Sequence, residues 1–348
     1  MTPFFKALGW SDYFSDQITS EDTVKLAPLR LTEVRRNRVI GLTPENTRVE
    51  LALSGDMVAT DLAVGDFALY SGERLEQVLE RKSVISRKAA GHSAQAQLIA
   101  ANIDTLFIVT SCNADFNEAR LERYVALAIE AETRPVIVMT KADMPLGDPA
   151  DYVARAKAIS DRVEALAINS KARDDIDRLS QWCQSGQTVA LVGSSGVGKS
   201  TIGRTLTGED LLTADIREDD AKGRHTTTAR SMHLMHAGGW MVDTPGMREL
   251  ALHDAAAGIA TLFEDITDLI SDCKFSDCQH KTEPGCAIRA ALDNGTLDQH
   301  RLERWQKLRD EDVENTDTIA TAKERGRKFS KMQRTAFKAK RMRRGDFD

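Results

Sequence analysis

What this chain lacks narrows it first. No stretch approaches the roughly 18 consecutive apolar residues that a membrane-spanning helix needs, which argues against an integral membrane protein. Met1 to Trp10 carries a single Lys and no sustained apolar run, so no secretory leader is expected and a cytoplasmic location is. Cysteines are few and odd in number, five in 348 residues, and make no disulfide framework. No internal repeat is visible. A composition of 41% hydrophobic and 29% charged residues excludes disorder throughout, and the length favours two or three domains.

The charge is unevenly spread. Lys plus Arg number 47 against 53 Asp plus Glu, a formal net charge of −6. Between Lys323 and Arg344, however, stand eleven Lys or Arg and one acid, Glu324, leaving a tail of about +10 and a remainder of about −16. Phe329 and Phe337 interleave with that charge, a pattern suited to RNA. Arg35-Arg-Asn-Arg38 and Arg81-Lys82 are further candidate phosphate contacts, although a solvated strand face explains them as well.

Along the chain the pattern changes character several times. Residues 1–28 alternate aromatic and polar positions without a period and read as a loosely ordered extension. Residues 29–90 carry short β-like runs, Leu31–Ile40, Thr47–Leu53, Phe67–Tyr70 and Leu75–Leu79, separated by Gly-containing turns; an OB-fold barrel is the first expectation. From 95 to 265, apolar β-branched runs at Ile103–Thr110, Pro135–Met139, Val163–Ile168 and Thr188–Val192 alternate with helical patterns, which predicts a parallel sheet covered by helices. Residues 266–312 hold a Cys/His cluster and two short helical patterns, and 313–348 the basic tail.

Chemistry enters at Gly193-Ser194-Ser195-Gly196-Val197-Gly198-Lys199-Ser200, followed by Thr201, the Gly-x4-Gly-Lys-Ser phosphate loop between a strand and a helix. Its glycines let backbone N–H groups face phosphates at a helix N-terminus, Lys199 reaches the β/γ-phosphates and Ser200 can hold Mg²⁺. Downstream, Asp243-Thr-Pro-Gly246 ends a strand in Asp-x-x-Gly, where Asp243 would hold Mg²⁺ through water and Gly246 would sense the γ-phosphate. Base choice would rest on Thr140-Lys141-Ala142-Asp143. Asp143 can accept from the N1–H and amine of guanine together, a donor pair adenine lacks, while the Lys141 stem packs along the base. Asn169 and Ser170, after the next strand, could supply the second base loop. These base motifs precede the phosphate loop, the reverse of the ordinary GTPase order, and a circular permutation explains it.

Cys273-x4-Cys278-x-His280-x5-Cys286 supplies three thiolates and one imidazole, the closed tetrahedral set of one structural zinc ion. Cys112 and Cys183 stand apart and read as buried or incidental thiols.

With these motifs the sequence resembles the RsgA (YjeQ) family of circularly permuted GTPases that depend on the small ribosomal subunit. Roughly residues 30–310 carry the resemblance, through Arg81-Lys-Ser, Ala101-Asn-Ile-Asp104, Thr140-Lys-Ala-Asp143, the phosphate loop, Gly223-Arg-His-Thr-Thr-Thr228, Asp243-Thr-Pro-Gly246 and the Cys/His cluster. It implies an N-terminal OB-fold barrel, a central permuted P-loop GTPase domain and a C-terminal zinc-binding helical domain, acting in late small-subunit maturation. The resemblance also implies a catalytic role for His225. The family normally has Asn at position 140; Thr keeps a hydroxyl and loses the amide and its reach, which implies lower nucleotide affinity.

One further absence bears on turnover. Where many GTPases place a water-orienting Gln after Asp-x-x-Gly, this chain has Met247. His225 is then the internal candidate for that task, Lys199 supports the phosphates, and Thr228 would complete the Mg²⁺ shell. The reading is a monomeric cytoplasmic GTPase that uses GTP and Mg²⁺, binds the small ribosomal subunit and its rRNA, leaves on hydrolysis to GDP, and touches no membrane. The alternatives are a nucleotide-gated RNA-binding scaffold with incidental hydrolysis, and a P-loop ATPase or small-molecule kinase, which Asp143 disfavours.

Overall fold

A computed structural model gives the structure of residues 2–55, 57–88, 96–209, 230–243, 252 and 254–317. Five strands close the N-terminal barrel: β1 (Ala27–Val34), β2 (Arg38–Leu42), β3 (Arg48–Leu53), β4 (Phe67–Ser71) and β5 (Arg74–Val78). They run in the order β1-β2-β3-β5-β4 and return to β1, with β3 and β5 parallel and the other pairings antiparallel. Alternation along each strand points Leu29, Leu31, Val39, Leu51, Ala68 and Leu75 into one buried cluster. The β-like run Leu31–Ile40 is not one strand. It is cut between β1 and β2 by a turn closed by Arg35 N–H on Arg38 O at 2.9 Å, so the Arg35–Arg38 group sits at a hairpin.

A two-stranded ribbon, β6 (Val84–Lys88) with β7 (Ala96–Ala101), leads out of the barrel. The central sheet then forms from β8 (Thr105–Ser111), β9 (Arg134–Thr140), β10 (Glu164–Ala167), β11 (Thr188–Val192), β12 (Arg230–Leu234) and β13 (Trp240–Asp243), in the order β10-β9-β8-β11-β13-β12. All pairings are parallel except β12–β13. The parallel strands are buried on both faces, which is why they read as continuous apolar runs. On its other edge β12 pairs antiparallel with β1, so barrel and central sheet form one eleven-stranded sheet.

The N-terminal stretch is not a loose extension. Pro3–Ala7, Asp12–Ser15 and Asp22–Lys25 are helical. Phe5, Leu8, Trp10 and Phe14 are buried, three of them ringed around Phe67 at centroid distances of 4.3–5.8 Å. Aromatic burial, not helix periodicity, orders this segment, and that explains why its sequence shows no period.

Beneath this segment lies Arg30 of β1, fully buried. Its guanidinium donates to Leu8 O, to Thr188 Oγ1 (2.9 Å), to Gly65 O (3.2 Å) and to Asn102 O (3.0 Å), with its carbon 4.9 Å from the Phe67 ring centroid. Burial draws its pKa down to about 10 against the pull of Asp104 and Asp66. One side chain thereby joins the N-terminal segment, the barrel and the first residue of β11.

On the other side, helix Glu118–Glu130 meets the C-terminal region. Gly258 of helix Ala256–Leu262 approaches so closely that a Cβ there would lie 2.2 Å from Ala126 O, and its N–H donates to Glu130 (2.7 Å). Residues 299–317 form a helix whose Arg304 grips buried Glu122 through both carboxylate oxygens at 2.9 Å, while Glu311 pairs with Arg123.

Candidate nucleotide and metal sites

Strand β11 delivers the chain to Gly193, whose φ of 139° and position beside β8 leave no room for a side chain: a Cβ would lie 2.0 Å from Val109 O. The loop then turns through Gly198, left-handed at φ 100°, which caps helix Lys199–Thr207. Backbone N–H groups of that first turn, at Ser200 and Thr201, belong to the donors a helix leaves unpaired, which makes the loop an anion cradle. Lys199 Nζ donates to Gly193 O (2.7 Å) and Ser194 O (2.6 Å), anchoring its charge to the loop formed by Gly193, Ser194, Ser195, Gly196 and Val197. Val197 is buried with Ile202, Leu206 and Met241, which ties the loop to the hydrophobic core.

The loops after β9 and β10, the candidate base loops, leave the same edge of the sheet. Thr140, the last residue of β9, is fully buried, and its Oγ1 lies 2.5 Å from Val197 O and 3.1 Å from Thr110 O. The residue chemistry alone suggests a weakened tie where Asn is replaced, yet here the hydroxyl itself links base loop and phosphate loop, because the two backbones come close enough for a short side chain. Lys141 takes a left-handed φ of 58° that turns the loop, and Asp143 stands exposed at its tip. In the neighbouring loop the Asn169 side chain accepts from Lys171 N–H (3.0 Å), and Asn169 N–H donates to Asp175 (2.7 Å). Both loops converge on Gly198: a Cβ there would sit 3.4 Å from Ser170 Oγ and 3.4 Å from Thr140 Cγ2.

Asp243 ends β13 beside this site. Burial raises its carboxyl pKa, and among the described residues no side chain pairs with its carboxylate. That environment suits a metal cation. His225, Thr228, Gly246 and Met247 lie outside the described residues.

In the C-terminal region Cys273, Cys278, His280 and Cys286 bring their ligand atoms within 4.8 Å of one another. Cys273 Sγ and Cys286 Sγ each lie 3.6 Å from His280 Nδ1. A tetrahedral zinc with Zn–S of about 2.3 Å and Zn–N of about 2.0–2.1 Å places sulfur and nitrogen about 3.5–3.6 Å apart, so the residues fit the ion. Burial pushes the Cys273 thiol up, but N–H groups of Ala287 and Ile288 at a helix start outweigh it and favour the thiolate. His280 needs a left-handed φ of 59° to turn inward. Glu283 holds this loop by accepting from the N–H groups of Gln279, Lys281 and Thr282, which lowers its pKa to about 2. Nothing in the Cys/His spacing points to Glu283. Cys112 and Cys183 are both buried, and burial pushes the Cys183 thiol up to about 12.

The barrel cations read as candidate phosphate contacts are mostly engaged within the protein. Arg81 pairs with buried Asp66 at 2.6 Å, Arg35 and Arg48 share Glu33, and Arg38 pairs with Glu50. Lys82 donates to Ser11 Oγ (2.7 Å) over the rings of Tyr13 and Phe14. Arg81-Lys-Ser and Ala101-Asn-Ile-Asp104 thus build the seam between barrel and sheet: Ser83 exchanges hydrogen bonds with Ile103, Asn102 accepts from Lys82 N–H, and Asp104 accepts from Thr188 N–H.

The sequence pattern of the RsgA GTPase family matches residues 78–253. A small ribosomal subunit biogenesis GTPase RsgA of Mesorhizobium japonicum is 50% identical over 321 residues, covering 90% of this chain and 92% of that protein. The small ribosomal subunit biogenesis GTPase RsgA 2 of Vibrio parahaemolyticus is 42% identical over 340 residues, covering 97% and 94%. Among solved structures, YjeQ from Thermotoga maritima superposes with a TM-score of 0.59 at 23% identity, over 81% of this chain and 97% of that one. YloQ, a circularly permuted GTPase, gives 0.56 at 21%, over 86% and 96%.

Proposed function

This chain belongs to the RsgA GTPase family, and from that premise we propose that it hydrolyses GTP on the immature small ribosomal subunit and leaves the subunit on hydrolysis. The observation that carries the reading is the convergence of phosphate loop and both base loops on Gly198, with Thr140 tying the first two together. In this reading Asp143 and Lys141 hold guanine, assisted by Asn169 and Ser170. Residues 193–201 cradle the phosphates and Lys199 neutralises the γ-phosphate oxygens. Ser200 and Asp243 hold Mg²⁺, which neutralises phosphate charge when bound. His225 orients the attacking water, a task Met247 cannot perform, while Thr228 and Gly246 respond to the γ-phosphate.

The Cys/His cluster holds zinc in a purely structural role, since four protein ligands leave no open position. The domain limits are 29–90, 95–265 and 266–312, although the helix over 299–317 runs past the last of them, and the basic run Lys323–Arg344 contacts rRNA. The protein works as a cytoplasmic monomer. No described helix is long and apolar enough to cross a membrane.

Turnover measured with and without purified small subunits, across a salt series, tests this. Stimulation that fades with salt is expected, because neutralising several phosphates makes binding steeply salt-dependent. A rate unchanged by subunits sinks the proposal and favours the scaffold reading.

A further inference from the structure

Ser231 and His233 of β12 belong to none of the sequence motifs, yet Ser231 stands directly across from Asp243. The β12–β13 register pairs Ser231 with Asp243 and His233 with Met241. Directly paired residues share a face of the sheet with Cβ atoms about 4.5–5.5 Å apart, and residues two positions apart along a strand share it too. Met241 packs with Val197, Ile202 and Leu206, so this is the face covered by the phosphate-loop helix. Glu209 follows the left-handed cap Gly208 at the far end of that helix. From there it reaches His233 Nδ1 at 2.6 Å, and His233 Nε2 lies 2.9 Å from Ser231 Oγ. The chain Glu209–His233–Ser231 therefore climbs from the bottom of the helix to the neighbour of Asp243.

The hydrogen bonds have a direction. In the neutral imidazole a carboxylate at Nδ1 keeps the hydrogen there, which leaves Nε2 as an acceptor for the single hydrogen of the Ser231 hydroxyl. Ser231 then offers only lone pairs toward Asp243, whose carboxylate also offers only lone pairs. Two facing acceptors need a donor between them, and a water bound to a cation is a strong one. On the opposite side of Ser231 stands Glu33, whose carboxylate is taken by Arg35 (2.7 Å) and Arg48 (2.9 Å), so it does not compete for the hydroxyl.

We propose that Glu209, His233 and Ser231 are positioning residues that orient the Ser231 hydroxyl oxygen to accept from a Mg²⁺-bound water shared with Asp243. The inference rests on the reading of Asp243 as a Mg²⁺-site residue. A relay that merely stapled β12 to the helix would stabilise the fold without altering the response to Mg²⁺.

The test is the affinity of the full chain for a fluorescent GDP derivative, measured in excess EDTA and in millimolar Mg²⁺. The ratio of the two affinities is the Mg²⁺ enhancement. Ser231→Ala is expected to cut that enhancement about five- to tenfold, the worth of one ordinary hydrogen bond, and to leave the EDTA affinity unchanged. Glu209→Ala, at an exposed position, should cut it comparably, and the double variant should fall no further, as members of one relay do. Asp243→Asn is the control. If Asp243→Asn lowers the enhancement while both relay variants match wild type, the relay is rejected and the Asp243 reading stands. If Asp243→Asn leaves it intact, that reading fails and the relay with it. Additive losses, or a fall in EDTA affinity, would show a merely structural role and reject the proposal.

Discussion

Thr140 shows how much one atom decides at this site. Its buried Oγ1 is the side-chain link between the base loop and the Val197 carbonyl of the phosphate loop. Thr140→Val keeps the shape and removes the donor, leaving a buried carbonyl unpaired, so guanine-nucleotide affinity should fall about tenfold, or ~1–1.5 kcal/mol. Thr140→Ser should stay near wild type. Titration with GDP checks both, and a valine variant that binds like wild type would show that the contact carries no energy. That Thr140 stands where a buried strand gives way to a loop was legible in the sequence. Its compensation for the missing amide was not, because that depends on how closely two loops 57 residues apart approach.

At the scale of elements, helix Glu118–Glu130 is the joint between the nucleotide-binding sheet and the C-terminal helices. Arg304 and Glu311 grip it by charge, and Gly258 brings helix Ala256–Leu262 against its backbone. A methyl group at 258 has no flexible neighbour to push aside, since the nearest atom is the carbonyl oxygen of Ala126 at 2.2 Å. Gly258→Ala should therefore destabilise the protein by about 1–3 kcal/mol through overpacking, read as a lower urea midpoint. An unchanged midpoint would mean the two helices separate at little cost. Alternating apolar runs predict the strands well, but Gly258 looks like any helix glycine until its partner helix is known.

Taken whole, the molecule is organised by a sheet that runs from β10 to the barrel without a break, so the barrel is hydrogen-bonded to the strand beside Asp243. Arg30 reinforces the seam from beneath. Arg30→Met would leave Leu8 O, Gly65 O, Asn102 O and the Thr188 hydroxyl without their donor, at a cost of at least about 3 kcal/mol. Urea unfolding of the full chain should show that loss. A variant within about 1 kcal/mol of wild type would mean that water replaces the guanidinium freely.

By itself the sequence indicated what depends on close spacing: a glycine-rich loop between a strand and a helix, Asp243 at a strand end, and three Cys and one His that gather within 4.8 Å. Short loops and strand ends bring such residues together with little help from the rest of the fold. Permuted motif order was equally plain, being a matter of sequence order. Tertiary structure alone decided what depends on distant approach. It turned an aperiodic N-terminus into an aromatic plug around Phe67, and it took Arg81 out of the candidate RNA surface by burying its partner Asp66. The same packing set Ser231 opposite Asp243, with His233 two residues along on the same face. The physical reason is common to all three: burial and pairing belong to residues far apart in the chain, and local pattern carries no record of which distant partner arrives.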